Sequence, residues 1–366
     1  MENLSAPDFT LTPELAMVLS SAKKLLRERA PMTAVRATLD ESVSDHDPAR
    51  WRAVAELGWL GLAIPEARGG AGLGLYGLAL VVEEMGRVLW PGPFLPSALA
   101  ALLLSELPGS GDLLAHVVSG DSIAVLGMGA TAGDPECLSV IASDGGRLEG
   151  VLSGVAGAHV ANVLVVPAKD ASGSMGVYAV DVPGEGVIVE AERVVDPTRR
   201  SARVTLSGAK GRRIEGDAAR AVARTASAAA TLLAAELSGA AETVLRTTRD
   251  YAVERRQFDK PIGSFQAVKF PLVDTMIGIE LARSLALAAA LDFDGGAASP
   301  LRAHMAKAMA GDVATDACRR GVQLHGGFGF TWDCDVHLFL RRSLVSRALW
   351  GDSAHHRRAV LGELSE

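Results

Sequence analysis

The sequence has few cysteines, few aromatic residues and no long uninterrupted apolar run. Its three cysteines, Cys137, Cys318 and Cys334, are far apart in 366 residues and form no CxxC pair, so neither a thiolate zinc site nor a redox dithiol is predicted. We therefore predict no metal site, and reduced thiols as in a cytoplasmic protein. The longest apolar run, around residues 226–235, stops at Glu236, and it is too short to span a bilayer.

Basic segments are also missing. The formal net charge is -7, and no basic tail or interleaving of arginines with aromatic residues is present, which argues against nucleic acid as a partner. The N-terminus MENLSAPDFT is acidic and broken by Pro7, so it lacks the basic start and apolar core of a signal peptide. These absences predict a cytoplasmic protein that binds small molecules and no membrane.

The periodicity of the apolar residues predicts an α+β protein with three domains. A helical period in residues 1–120, begun by the cap-and-proline pair Thr12-Pro13, predicts an N-terminal helical domain. Alternating β-branched runs separated by Gly-Asp and Pro-Gly turns predict a mainly antiparallel β-domain, a barrel or sandwich, over residues 121–212. Long alanine-rich helical patterns over residues 213–366 predict a C-terminal four-helix bundle.

Three motifs make this order specific. ELGWLGL at 56–62 is followed by Ile-Pro-Glu and Gly-Gly-Ala-Gly, YAVERRQF stands at 251–258, and QLHGGFGF at 323–330. Together they resemble the acyl-CoA dehydrogenase family over the whole chain. The resemblance implies FAD at a subunit interface, an acyl-CoA substrate that loses two hydrogens from its α and β carbons, and an electron-transfer acceptor as a further partner. A carboxylate would remove the α-proton while hydrogen bonds polarise the thioester carbonyl.

The same resemblance assigns the cofactor-binding residues. Arg255 would bind the pyrophosphate of FAD, because its guanidinium offers paired donors and a permanent charge. Gly326 and Gly327 would let backbone N–H groups approach the cofactor of a neighbouring subunit. The further residues implied near FAD are Gln257, Phe258, Gln266, Gln323, Ser353 and His355. An ordinary solvated arginine, a plain helix-helix turn at the glycines, and a surface or capping role for His355 remain the alternatives.

The position of the catalytic base departs from the family pattern. With Arg341 and Arg342 setting the register, Trp350 takes the aromatic place and the usual glutamate position falls on Gly351. Asp352 is the candidate catalytic residue, although a shift of one residue and a shorter side chain displace its carboxylate. An alternative family site falls near Ala229, among small residues. Glu236 and Glu242 lie nearer to the YAVERRQF motif, and we interpret both as partners in ion pairs.

The β-domain departs as well, since it contains no tryptophan, whereas the family has a tryptophan-containing strand against the flavin ring. The family residues that reach a neighbour's FAD are therefore present in this chain, while those that hold the chain's own flavin ring are not matched. This asymmetry resembles the β-subunits of actinobacterial heteromeric acyl-CoA dehydrogenases, which pair with a paralogous α-subunit as α2β2 and act on bulky thioesters such as sterol side chains. A homotetramer that uses Asp352 or another acid, and a flavin-free acyl-CoA-binding or structural protein, are the alternatives.

Overall fold

The computed structural model describes residues 8–40, 44–129, 138–143, 145–297 and 299–365. Cys137 lies outside this part of the chain. The N-terminal region is helical as predicted, and Thr12 caps the first helix, its Oγ1 accepting a hydrogen bond from the N–H of Leu15 at 3.3 Å. Its helices are α1 (Pro13–Arg29), α2 (Met32–Ala37), α3 (Pro48–Glu56), α4 (Gly74–Arg87), α5 (Phe94–Ser105) and α6 (Gly111–Val118).

An eight-stranded sheet follows. Its strands are β1 (Ala124–Leu126), β2 (Ile141–Ala142), β3 (Arg147–Ala156), β4 (Val163–Asp170), β5 (Met175–Asp181), β6 (Val187–Ala191), β7 (Ser201–Lys210) and β8 (Arg212–Ile214). Their order is β6-β7-β3-β2-β4-β5-β8, with β1 beside β4. Most pairs are antiparallel as predicted, but β1 and β2 both run parallel to β4. The short strand β8 extends the sheet beyond the alternating pattern seen in the sequence.

Alternation along the strands divides the apolar residues between two cores. In β1, Ala124 and Leu126 face a large core shared with the helices, whereas Val125 faces a smaller core made mainly by the sheet itself. Val177 and Tyr178 in β5 divide in the same way, because successive side chains of a strand point to opposite faces. One face of the sheet therefore packs on the large helical core, while the other forms a smaller core against which Trp51 of α3 also packs.

The C-terminal region is a helical bundle. Its helices are α7 (Ala218–Glu254), α8 (Gln266–Asp294), α9 (Leu301–His325), α10 (Val336–Ala348) and α11 (Ser353–Ser365), with a short hairpin of β9 (Arg256–Gln257) and β10 (Lys260–Pro261) after α7. Helix α7 crosses α4 closely through glycines. A Cβ on Gly86 would lie 2.1 Å from the carbonyl oxygen of Glu236, and one on Gly239 would lie 2.0 Å from that of Glu83. The N-terminal helices and the bundle are thereby packed as one body.

Helix α7 is long and apolar enough to cross a membrane by length and composition alone. However, 83% of its most apolar window is buried inside the protein, with Leu232, Leu233 and Leu237 among the core residues. A helix that is apolar on all sides is expected at the centre of a large bundle. Its composition is accounted for by the packing of α4, α8 and α9 around it.

Candidate cofactor surface and domain cleft

The ends of α7 and α9 lie side by side and bring the two bundle motifs together. The ring of Tyr251, in the last turn of α7, stacks on the ring of His325, the last residue of α9, with centroids 4.4 Å apart and planes inclined by 24°. The YAVERRQF and QLHGGFGF segments, far apart in the sequence, therefore form one continuous surface.

Arg255 ends α7, and its backbone N–H donates to the carbonyl oxygen of Tyr251 at 2.8 Å. Its side chain is exposed and hydrogen-bonds none of the residues that the structure describes. The next residues form the β9–β10 hairpin, whose two turn residues, Phe258 and Asp259, have φ of 51° and 62°. Positive φ at both positions is the geometry of a type I′ turn. The turn leaves Phe258 85% exposed.

The glycines after α9 present open backbone. Gly326 has φ 64° and ψ −143°, a conformation that glycine adopts readily and other residues avoid. A Cβ on Gly326 or Gly327 would meet no described atom within 4 Å, so a ligand could approach this backbone closely. The N–H of Gly326 itself donates to the carbonyl oxygen of Gln323. Gln257 and Phe258 in the hairpin, Gln266 at the start of α8 and Gln323 near the end of α9 are exposed as well.

We call this group the cofactor surface; its members are Arg255, Gln257, Phe258, Gln266, Gln323, Gly326 and Gly327. An exposed guanidinium with no described partner, beside glycine backbone that a ligand can approach, fits the pyrophosphate of a dinucleotide. Phe328, Phe330 and Trp332, which follow the glycines, are also 47–76% exposed. The sequence by itself assigned these aromatics no role.

A second site, the domain cleft, lies where the sheet, α5, α7 and the turn after α10 meet. Its described lining residues are Leu95, Pro96, Leu99, Leu126, Met128, Gly129, Gly154, Ala156, Arg199, Leu233, Leu349 and Trp350. Its volume of about 50 Å³ leaves room for a few water molecules. Strand β3 contributes only Gly154 and Ala156 to the cleft, and none of the lining residues carries a carboxylate.

The turn beside the domain cleft is left-handed at two successive residues, with φ 58° at Trp350 and 94° at Gly351. The Nζ of Lys307 donates to the carbonyl oxygens of Arg347 at 2.8 Å and Gly351 at 2.9 Å. Burial lowers the pKa of Lys307 to about 7, and a neutral amine satisfies both acceptors. A Cβ on Gly351 would lie 2.5 Å from Cδ2 of His355, so this backbone is suited to glycine.

The histidines near this turn support it as well. Nε2 of His356 lies 3.0 Å from the carbonyl oxygen of Trp350, and the Nδ1 atoms of His304 and His356 are 2.8 Å apart. The carbonyl can only accept, so Nε2 of His356 carries the hydrogen and its Nδ1 accepts from His304. Burial lowers the pKa of His356 to about 3, which keeps the ring neutral near pH 7. Among the described residues, no group of histidine, cysteine, aspartate and glutamate is arranged to hold a metal ion.

The candidate residues after Gly351 belong to the start of α11. Asp352 is exposed, and its Oδ1 accepts a hydrogen bond from the N–H of His355 at 2.8 Å. This bond chiefly holds the pKa of Asp352 below its ordinary value, which makes the carboxylate a weaker base. Ser353 is buried and donates to Asp312 at 2.9 Å, and His355 is half-buried. The structure thus places Asp352, Ser353 and His355 in the capping and packing of α11.

A buried charge network lies beside the domain cleft. Arg342, 1% exposed, donates to Asp196 at 2.5 Å and to Glu236 at 3.1 Å, and Arg199 also pairs with Glu236. Burial alone would raise the pKa of Glu236, but the two arginines hold it below its ordinary value. The interpretation of Glu236 as an ion-pair partner is confirmed. That of Glu242, which pairs with the guanidinium groups of Arg87 and Arg246, is confirmed too.

Comparison with known proteins gives the family to which this fold and this surface belong. The family model for the acyl-CoA dehydrogenase N-terminal domain matches residues 12–107, and that for the C-terminal domain matches residues 219–364. The chain is 33% identical to the acyl-CoA dehydrogenase IpdE2 of Mycobacterium tuberculosis, covering 93% of this chain and 94% of that protein. This protein belongs to the acyl-CoA dehydrogenase family.

Solved structures agree with this assignment. A variant of the Tcur3481-Tcur3483 steroid ACAD superposes with a TM-score of 0.88 at 30% identity, covering 97% of this chain and 99% of that chain. The ChsE4-ChsE5 complex from Mycobacterium tuberculosis superposes with a TM-score of 0.88 at 28% identity, covering 98% and 99%. The predicted fold class, the enzyme class and FAD as the cofactor are those of this family, so these predictions are confirmed.

Proposed function

We propose that this chain is the subunit of a heteromeric acyl-CoA dehydrogenase that lacks the catalytic carboxylate and completes the FAD site of a paralogous subunit. The observation that carries the proposal is the contrast between the two sites. The cofactor surface is open, and Arg255 there has no described partner, whereas the domain cleft is small and none of its described lining residues is an acid. The chain can thus contribute to a neighbour's site without having a complete site of its own.

The described part of the domain cleft offers little to a flavin ring of this chain's own. Its volume is about 50 Å³, and strand β3 contributes only the small residues Gly154 and Ala156. The one ionisable residue in the described lining is Arg199, which remains protonated at neutral pH and cannot take a proton from a substrate carbon. Asp352 is bound to the N–H of His355 at the surface, so a homotetramer that relies on it is not favoured.

The cofactor surface fits a cofactor held by a neighbour. Bound FAD supplies the hydride acceptor for the β-carbon of the substrate. Arg255 would pair with the pyrophosphate, and the backbone N–H of Gly327 would donate beside it. Gly326, whose N–H donates to the carbonyl oxygen of Gln323, would leave room for the close approach. The base, and the donors that polarise the thioester carbonyl, would come from the paralogous chain.

The related assemblies favour a paralogous partner and a bulky substrate. One similar structure is described as a steroid ACAD and another as the ChsE4-ChsE5 complex. We propose an α2β2 assembly that oxidises a bulky acyl-CoA such as a sterol side-chain thioester, passes electrons to an electron-transfer acceptor and works in the cytoplasm. The buried position of α7 is consistent with a protein that does not enter a membrane.

The first test is coexpression with a paralogous acyl-CoA dehydrogenase chain. We expect the mixed complex to be yellow and to oxidise acyl-CoA in a dye-coupled assay, and this chain alone to be inactive. Yellow and active protein from this chain alone would contradict the proposal. A colourless complex would favour the flavin-free alternative.

Replacing Arg255 by Ala should weaken FAD binding by the mixed complex about 10- to 100-fold, because hydrogen bonds to a charged group contribute about 1.5–3 kcal/mol each. FAD affinity is measured by titrating the deflavinated complex and following the flavin spectrum. Arg255→Lys keeps the positive charge but not the paired N–H donors of the guanidinium, and its loss of FAD affinity should be intermediate. Arg147→Ala, an exposed arginine on β3, is the matched control. FAD binding that is unchanged in Arg255→Ala would refute the trans-site assignment.

A further inference from the structure

We propose that Tyr251 and His325 act together as positioning residues, holding Arg255 and the Gly326-Gly327 backbone at the spacing that FAD binding needs. The inference rests on the proposed function and concerns residues that do not themselves touch the cofactor. Its basis is the stacked contact of the two rings, with centroids 4.4 Å apart. This stack lies one helical turn before Arg255 and directly before Gly326.

A backbone hydrogen bond links Tyr251 to Arg255, and a side-chain hydrogen bond orients His325 beside Gly326. The carbonyl oxygen of Tyr251 accepts the N–H of Arg255 at 2.8 Å, so a displacement of Tyr251 moves the start of the Arg255 segment. Nδ1 of His325 lies 2.8 Å from the carbonyl oxygen of Gly321. That carbonyl can only accept, so Nδ1 carries the hydrogen and the bond fixes the plane of the ring at the end of α9.

The rings can meet because the two helices approach closely just before them. A Cβ on Gly321 would lie 2.6 Å from Cγ1 of Val244 and 3.1 Å from Oγ1 of Thr248. Val244, Thr248 and Tyr251 recur at helical spacing on one face of α7, and His325 is one turn after Gly321. The small residue at the crossing therefore sets the distance at which Tyr251 and His325 stack.

Beyond the stack, both segments are exposed and irregular. The β9–β10 hairpin follows Arg255, and a short 3-10 turn at Gly326–Phe330 follows α9. A pyrophosphate must meet the guanidinium and the backbone N–H groups at the same time, and every residue that binding has to immobilise reduces the affinity. The stack orders the two segments relative to each other before FAD binds.

A double-mutant cycle on FAD affinity tests this inference. We expect Tyr251→Ala and His325→Ala each to weaken FAD binding by the mixed complex about threefold to tenfold, the range of a stacked aromatic pair. The double variant should lose about as much as either single variant, because the two rings act as one unit. Tyr251→Phe and His325→Phe keep stacked rings and should stay within about twofold of the unchanged complex.

The control variant is His116→Ala. His116 lies near the end of α6, and its Nδ1 contacts a carbonyl four residues earlier, that of Asp112 at 2.7 Å, as His325 does with Gly321. It is remote in sequence from the cofactor surface, and its loss should leave FAD affinity unchanged.

Three results would overturn the inference: unchanged FAD affinity in both alanine variants, losses that multiply in the double variant, or phenylalanine variants as weak as the alanine variants. If an alanine variant does not assemble, the phenylalanine variants still test the inference. A loss of FAD affinity in these variants, which keep the stacked rings, would overturn it. Arg255→Ala separates the two levels of the proposal. If Arg255→Ala loses FAD while His325→Ala keeps it, only the positioning role fails; if Arg255→Ala keeps FAD, the proposed function fails.

Discussion

The cofactor surface and the domain cleft are built on the same helix and have opposite character. At the end of α7, Arg255 is exposed and has no described partner, whereas Glu236 in the middle of α7 is buried between Arg199 and Arg342. From Glu236 to Arg255 the helix rises about 28 Å. Sites this far apart change independently, so the cofactor surface and the domain cleft can differ in composition within one chain.

The largest effect is expected where the charges are buried. Replacing Arg342 by Met would leave Glu236 and Asp196 without their shared partner, and such a loss costs about 3–5 kcal/mol of stability. Chemical denaturation of the mixed complex, followed by circular dichroism, would measure it. The neighbouring Arg341, half-buried and bonded to the carbonyl oxygen of Val195 at 3.2 Å, is the control, and Arg341→Met should cost less than about 1 kcal/mol. Equal stability of the two variants would show that the network does not fix the domain cleft.

Restoring the family's glutamate at Gly351 should fail to create an active site. Gly351 has φ 94°, and its Cβ would lie 2.5 Å from His355, so Gly351→Glu should cost about 1–3 kcal/mol and leave the chain alone inactive with acyl-CoA. Gly351→Asn is the matched variant, since asparagine tolerates left-handed backbone better, and it should be the more stable of the two. Acyl-CoA oxidation by the isolated Gly351→Glu chain would contradict this expectation, because it would show that the domain cleft can form a complete active site.

The smallest effect on stability should come from Gly327→Ala. Its Cβ would enter open space, so the unfolding free energy should change by less than about 0.5 kcal/mol. FAD affinity of the mixed complex should nevertheless fall about fivefold, the equivalent of one hydrogen bond of about 1 kcal/mol. Gly326→Ala, at φ 64° and ψ −143°, should lose stability as well. Unchanged FAD affinity in Gly327→Ala would show that this backbone N–H does not contact the cofactor.

The sequence predicts the long elements well and the short ones poorly. Helix α7, Ala218–Glu254, lies within the long alanine-rich pattern that predicts the bundle, because a long periodic pattern averages over many residues. The three-residue strand β8 is too short for alternation to show. The parallel pairing of β1 with β4 depends on where the chain returns to the sheet, which no local pattern encodes.

The sequence alone determines which residue types stand at the positions of the candidate site. The glycines at 326 and 327, the arginine at 255 and the absence of an acid at 351 follow directly from the residue types, and with them the resemblance to the family. Only the tertiary structure brings Tyr251 against His325, closes Arg199 and Arg342 around Glu236, and turns Asp352 into a cap. Each of these contacts joins residues far apart along the chain, and its geometry depends on how closely the helices pack.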